Sequence, residues 1–301
     1  MSHYHIPVLL TEVIGALAVK PGGIYIDCTF GGGGHSGELL KYLDDEGKMF
    51  VFDQDEDARN NLPEDERVIF VPHNFRHLQR FLKLHKVMQV DGIMADLGVS
   101  SHQFDEAARG FSIRFDAALD MRMNNRQALK AYDVVNTYTE EKLHKIFEQY
   151  GEVTNAKTLA RTVINIRKTT SLKTINNFKT AVSSVVKGNP NKYFAQVFQA
   201  LRIEVNDELG ALREMLLQVP ALLKPGGRVA ILTFHSLEDR IVKNFLKKGD
   251  FEEEKENPFE QEEKKLATFK IITKKPVIPS REEQQVNPRS RSAKLRVAEK
   301  N

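Results

Sequence analysis

IYIDCTFGGGGHS, residues Ile24–Ser36, runs from a β-rich stretch through four consecutive glycines to the start of a helical pattern. Glycine tolerates positive φ and lets a ligand approach the backbone closely, so this is the first strand–turn–helix of a nucleotide-type fold. Moving outward, Met49–Phe52 reads as a second strand ending at Asp53, Val68–Val71 as a third and Val90–Asp96 as a fourth, with helices between them. That βαβα rhythm predicts a parallel, doubly wound sheet. From about Asp105 to Ala211 the rhythm stops and helical patterns take over, at Glu140–Tyr150, Ala156–Lys168, Ile175–Val186 and Phe194–Glu214. A Pro-Gly-Gly turn in Leu222–Gly227 then leads to the apolar run Arg228–Phe234, where the sheet resumes. The expected organisation is α/β: residues 1–104 and 212–301 form one discontinuous sheet domain, interrupted by an all-helical insertion at 105–211.

Length and composition set outer limits. A chain of 301 residues with 41% hydrophobic and 28% charged residues can bury a sizeable core. The one cysteine, Cys28, excludes an internal disulfide and a cysteine-ligated metal, and no metal site is expected. No basic segment precedes a long apolar one, and no run approaches the roughly 18 apolar residues of a membrane span. A soluble, cytoplasmic protein is expected, with no membrane partner; a homodimer stays open. The net charge of +3 says little, but its layout says more. Val153–Ile203 holds no acid and nine bases: Lys157, Arg161, Arg167, Lys168, Lys173, Lys179, Lys187, Lys192 and Arg202. Asp250–Glu263 is acidic, and the last stretch turns basic again. Segregated charge favours a polyanionic partner, against the plainer reading of a solvated face.

The first turn of such a sheet holds an adenosine-containing cofactor. Asp53, about 20 positions beyond Gly33, can accept both ribose hydroxyls. For a dinucleotide the G-x-G-x-x-G pattern beginning at Gly31 would put Ser36 at the third glycine, which disfavours NAD without removing it. Asp27, preceding the glycines, suits a cofactor carrying an amine and a sulfonium, as S-adenosylmethionine does. Both cofactors stay open on these residues alone.

Longer motifs then occur in a fixed order: HIPVLLTEV, DCTFGGGGHS, DLGVSSHQ (Asp96–Gln103), RGFS with LDMRM (Arg109–Met123), FQALRIEVNDEL (Phe198–Leu209), LKPGGR, FHSLEDR (Phe234–Arg240) and NPRSRSAKLR (Asn287–Arg296). Together they resemble the bacterial small-subunit ribosomal RNA cytosine-N4 methyltransferases, the RsmH or MraW family, over nearly the whole chain. The resemblance implies a class I (Rossmann-like) methyltransferase sheet with an inserted helical domain for RNA. It implies transfer of a methyl group from S-adenosylmethionine to a cytidine N4 of 16S rRNA, near the decoding centre of the small ribosomal subunit. Cofactor contacts carried over fall at Gly33, Gly34, His35, Asp53, Phe75, Asp96 and Gln103. Two segments depart from the family pattern, NPNKYFAQV before FQALR and RFDAA before LDMRM, and both bear on substrate contacts. The rival readings are a methyltransferase of this fold acting on another substrate, a nicotinamide oxidoreductase, and a non-catalytic RNA-binding protein.

Several residues have plain structural readings. Ser236-x-x-Asp239 reads as a capping box, Cys28 as a small core residue, and His235 as a residue facing the same crevice. Phe178, Tyr193, Phe194 and Phe198 interleave with the bases of the insertion, and about one of the four is expected to stack on RNA. Asp96, or a carbonyl of the Asp96–Ser100 turn, is expected to accept the hydrogens of the target amine. On a helix over Ala156–Lys168, Lys157, Arg161 and Lys168 fall within about 40° of one another, opposite an apolar stripe. If that stripe follows phosphates, the triple reversal K157E/R161E/K168E lowers RNA affinity for all sequences. It also flattens the salt slope by about 0.7–0.9 log units per lost contact, measured by titration at several salt concentrations.

Overall fold

A computed structural model describes residues 7–251 and 267–301. The acidic run from Glu252 onward, and His5 and Ile6 of the first motif, lie outside the described residues. The chain divides into two compact units, Met1–Gly98 with Leu209–Asn301, and Val99–Glu208.

In the first unit the strands β1 (Ile24–Asp27), β2 (Lys48–Phe52), β3 (Val68–Val71) and β4 (Val90–Asp96) alternate with the helices α1 (Leu10–Leu17), α2 (Gly34–Leu40) and α3 (Leu78–Leu84). Later in the chain come β5 (Leu223–Thr233), β6 (Phe269–Ile271) and β7 (Lys294–Lys300). The sheet order is β3-β2-β1-β4-β5-β7-β6. β1 to β5 pair in parallel, while β7 runs antiparallel to both β5 and β6. β4 and β5 are buried along nearly their whole apolar runs because a doubly wound sheet is covered on both faces. β6 and β7 are not among the strands expected from the sequence, and β7 alone runs against the rest. The LKPGG segment, expected as a turn, lies within β5 as a bulge: pairing jumps from Val90↔Leu223 to Gly92↔Arg228, and Gly226 takes the positive φ of 75° this requires.

The second unit contains α4 (Ser101–Asp105), α5 (Ala131–Thr137), α6 (Glu140–Gln149), α7 (Ala156–Ile166), α8 (Ile175–Ala181) and α9 (Pro190–Asn206). The continuous pattern read over Phe194–Glu214 is two helices, because Asp207 adopts a left-handed conformation (φ 47°) between α9 and α10 (Glu208–Leu222). α8 is shorter than expected and is followed by a 3₁₀ turn at Ser183–Val185. α7 stops before Lys168. The core of this unit takes Leu143, Phe147, Leu159, Val163 and Leu201. Phe178, Tyr193, Phe194 and Phe198 are also buried there, between 0% and 7% exposed, so none of the four is available to stack on a base.

Several bases of the acid-free stretch are spent inside the fold. Arg167 donates to the carbonyls of Val135 (3.1 Å) and Tyr138 (2.7 Å). Lys179 donates to the Ile113 carbonyl at 3.0 Å. Arg202 makes a paired contact with Glu208 at 2.8 and 3.0 Å. Lys157, Arg161 and Lys168 stay exposed. Arg161 meets Glu140 of α6 at 3.4 Å, an exposed pair that water screens. The RGFS and LDMRM motifs build one knot: Arg109 donates to the carbonyls of Arg122 and Met123, and Arg122 grips Asp120 at 2.7 and 2.9 Å. Asn206 closes it, accepting from Met123 N–H and donating to the Met121 carbonyl, both at 2.8 Å.

After β5 come α11 (Ser236–Lys248) and α12 (Arg281–Val286). Among the described residues no helix is long and apolar enough to cross a membrane. α11 is locked to β7 by Asp239, which accepts from Arg296 at 2.6 and 3.2 Å and from Lys294 at 3.2 Å. Burial pushes the Asp239 carboxyl up, but Arg296 and then Lys294 pull it below its ordinary value. The pair therefore stabilises the fold above a pH of about 4 and loses that contribution as pH falls through the carboxylate range. The Arg296→Met variant leaves a buried carboxylate with Lys294 alone. In urea unfolding at pH 7 it should lose about 3 kcal/mol, the low end for a broken buried pair, and the deficit should narrow at pH 4.

Candidate functional site

The C-terminal ends of β1, β2 and β4 carry Asp27, Asp53 and Asp96, the last residue of β1 and β4 and the residue just after β2. Asp27 is buried and accepts three hydrogen bonds from the loop it precedes: Ser36 Oγ at 2.6 Å, Thr29 N–H at 2.9 Å and Thr29 Oγ1 at 3.4 Å. Ser36 thus closes the glycine loop back onto the strand. Thr29 Oγ1 also accepts from Asp96 N–H at 2.6 Å, tying the loop to β4. Asp53 holds the outer edge, accepting from Gly31 N–H and Asp55 N–H, both at 2.8 Å, one on each oxygen. Each oxygen keeps a second lone pair, a disposition suited to two neighbouring hydroxyls.

Gly33 caps α2 with a φ of 73°, and a Cβ there would lie 2.9 Å from the Phe30 ring. A Cβ on Gly34 would overlap the ring of Pro7. His35, 8% exposed, is fixed through Nε2 on the Val8 carbonyl at 3.0 Å, and its Nδ1 faces Asp96 Oδ2 at 3.7 Å. Pro7 and Val8 belong to the N-terminal motif, whose part in shaping the loop was not read from the sequence. Asp27, His35 and Asp96 line one small cavity with Val13, Met94, Ala95 and Leu232.

The electrostatics of this cavity favour an incoming hydrogen-bond donor. Asp96 Oδ1 is buried with no hydrogen-bond partner, although the side chain is 29% exposed. Burial raises the Asp96 pKa to about 6; His35 opposes this, while Asp27 and Glu238 add to it. Asp53 is raised to about 6, chiefly by burial. Asp27 is raised by burial against the bonds from Ser36 and Thr29. Cys28 is buried, and burial followed by the Asp27 charge pushes its thiol up, which suits a core residue and not a thiolate nucleophile.

The remaining expected residues are placed differently. Phe75 opens a half-buried 3₁₀ turn, capped by Asn74, whose amide donates to Gln54 next to Asp53 at 3.0 Å. Gln103 belongs to the helical unit and is buried; its Oε1 accepts from Ser100 N–H at 3.1 Å in a capping box on α4. His235, not Ser236, caps α11, accepting from Glu238 N–H through Nδ1 at 3.4 Å. Asp239 serves Arg296 and Lys294 instead of closing a cap. Glu238, buried and accepting from Phe234 N–H at 2.9 Å, is a charge near Asp96 that the sequence reading missed.

A sheet in this order, with an antiparallel seventh strand and a carboxylate-clasped glycine loop at the strand ends, defines a class I methyltransferase fold. The profile of the MraW methylase family matches residues 2–301, and the chain belongs to that family. It is 50% identical over 301 residues to ribosomal RNA small subunit methyltransferase H of Parabacteroides distasonis, covering 99% of this chain and 98% of that one. It is 51% identical over 301 residues to the protein of the same name from Flavobacterium johnsoniae, with 99% and 98% covered. Among solved structures, TrmN from Thermus thermophilus superposes loosely, at a TM-score of 0.44 with 15% identity, over 97% of this chain and 48% of that one.

The raised Asp96 pKa has a consequence for stability. A carboxyl that ionises near 3.9 when unfolded and near 6 when folded costs stability as pH rises between those values. At about 1.36 kcal/mol per pH unit the penalty is at most roughly 3 kcal/mol. The Asp96→Asn variant should therefore melt higher than the parent at pH 7.5, with the gain shrinking toward pH 4, as followed by calorimetry.

Proposed function

We propose that this chain transfers a methyl group from S-adenosylmethionine to the exocyclic N4 of a cytidine in 16S rRNA, near the decoding centre of the small ribosomal subunit. The observation that carries the reading is the unpartnered, buried Asp96 Oδ1 in the cavity beside the glycine loop. The names of the relatives support the choice of substrate. The cofactor is S-adenosylmethionine, and the residues fit it. The tightly turned loop at Gly33, Gly34 and His35 ends at the cavity that His35 lines, Asp53 offers two lone pairs to the ribose hydroxyls, and Phe75 offers a half-buried ring to the adenine face. Gln103, a side chain of the helical unit, is the remaining residue that the family resemblance assigns to the cofactor. When bound, the cofactor supplies a methyl carbon made electrophilic by its sulfonium.

The cytosine amine is a weak nucleophile because its lone pair is delocalised into the ring. Asp96 accepts one amine hydrogen, which helps take the nitrogen lone pair out of conjugation with the ring. With the cofactor bound, its methyl carbon would receive that lone pair, and Asp96 would take the proton the methylated nitrogen sheds. A pKa of about 6 keeps Asp96 ionised at neutral pH while making it a stronger proton acceptor than an ordinary carboxylate. Alignment in a crevice poor in water does most of the remaining work, on the order of 7–11 kcal/mol in well-oriented cases. The helical unit grips RNA phosphates, with Lys157 and Lys168 exposed and Arg161 held only by the screened Glu140 pair. The reaction takes place in the cytoplasm, where ribosomal subunits are assembled.

Small subunits from cells lacking this gene, incubated with the protein and labelled S-adenosylmethionine, should yield N4-methylcytidine on nucleoside digestion. Label in another nucleoside would overturn the assignment. In the same assay Asp96→Ala should lower turnover about 10²–10⁴-fold with calorimetric cofactor affinity unchanged. Turnover of the parent should fall as pH drops below about 6. A matching loss of cofactor affinity in the variant would move Asp96 from the amine to the cofactor.

A further inference from the structure

The burial of Phe178, Tyr193, Phe194 and Phe198 leaves the helical unit without the aromatic platform expected from its sequence. Phe115 is the large hydrophobic side chain of this unit that stands in solvent: it is 49% exposed and takes no part in the packing of the unit's core. An isolated exposed hydrophobic residue is ordinary on a protein surface. The backbone beneath this one is not ordinary.

The loop that carries it is pinned on both sides. Arg114 N–H donates to Ser112 Oγ at 3.3 Å. Asp116 Oδ1 accepts from Asn176 N–H at 3.0 Å, and its pKa is lowered first by that bond and then by the Thr174 side chain. Ile175 N–H donates to the Ala117 carbonyl at 2.9 Å, Leu119 N–H to the Lys173 carbonyl at 3.0 Å, and Ala118 bridges Thr174. The Ile113 carbonyl, two residues before Phe115, takes the Lys179 ammonium. The loop therefore lies along the start of α8, beside the exposed Lys173, with the exposed Arg114 next to Phe115 in the chain. Among the described residues neither the Arg114 guanidinium nor the Lys173 ammonium has an acidic partner.

We propose that Phe115 is a stacking platform for an unpaired nucleobase of the substrate RNA, with Arg114 and Lys173 on the flanking phosphates; this rests on the RNA-methylating reading above. A half-exposed aromatic ring on a pinned loop, flanked by unneutralised cations, meets both requirements of single-stranded recognition. The ring gives any base a π face, and the cations follow the backbone. A pinned loop also means that little order has to be imposed when the base arrives.

The test uses the full chain and unmethylated small subunits. Phe115→Ala should raise the KM for subunits about 5- to 100-fold, the effect of losing one base–aromatic stack. kcat should change by less than about threefold, and calorimetric affinity for S-adenosylmethionine should not change. Phe115→Tyr should restore the KM, whereas Phe115→Leu, which keeps apolar area without a π face, should not. Replacement of Phe115 by the photoreactive p-benzoylphenylalanine should give a cross-link to ribosomal RNA in the subunit. An unchanged KM for Phe115→Ala, a leucine variant as good as the parent, or a cross-link to ribosomal protein alone would overturn the proposal. Failure of the parent itself to methylate subunits would instead overturn the reading on which it rests, so the two failures are distinguishable.

Discussion

A carboxylate with about 3% of its surface exposed is an unfavourable thing to place under an apolar sheet, and Asp27 is tolerable only because the loop above it supplies the donors. Ser36 and Thr29 satisfy it, and in doing so they give four glycines a shape that glycine alone cannot hold. Thr29 then passes the constraint to β4 through Asp96 N–H, and Asp53 applies the same clasp from β2 through Gly31 N–H. The course of the loop into His35 and the placement of Asp96 follow from these few bonds, and the Val8 carbonyl fixes the imidazole itself. Because the donors are backbone N–H groups and short hydroxyls, the loop has little slack.

This also explains which parts were legible in advance. β1 to β4 announce themselves as short apolar runs, and Asp27, Asp53 and Asp96 announce themselves by falling where those runs end. The glycine loop is local, so its place between strand and helix could be read directly. β7 could not, since its apolar residues are set among charges and its identity as a strand depends on β5, far earlier in the chain. The Asp239–Arg296 pair joins residues 57 positions apart and leaves no local trace. The cap of α11 was misassigned by one residue: the S-x-x-D pattern fits, but His235 occupies the N-cap position and Asp239 is drawn away by Arg296.

The helical unit shows the limit of counting charges. A stretch without acids seemed to offer nine free bases, yet Arg167, Lys179 and Arg202 are structural, holding carbonyls or Glu208. Arg109 and Arg122 do the same in the Arg109–Met123 knot. The guanidinium fork suits this work, because several donors in one plane can satisfy carbonyls that a loop without regular structure would leave unpaired. What remains for a polyanion is a smaller and more specific set of side chains than composition implied. The aromatic residues followed the same course: those at helical spacing became core, and the exposed one sits on a loop.

β4 and β5 are neighbours in the sheet, yet the whole helical unit is threaded between them. Bringing two strands together across so long a connection carries an entropy of closure that grows only with the logarithm of length, about 0.6 kcal/mol for each doubling. An insertion at this crossover therefore takes little from the equilibrium stability of the sheet. Its effect falls on time. The pairing at the centre of the sheet has the long sequence separation that slows folding, so this architecture combines an addition of a hundred or so residues at small thermodynamic cost with a delay in completing the sheet.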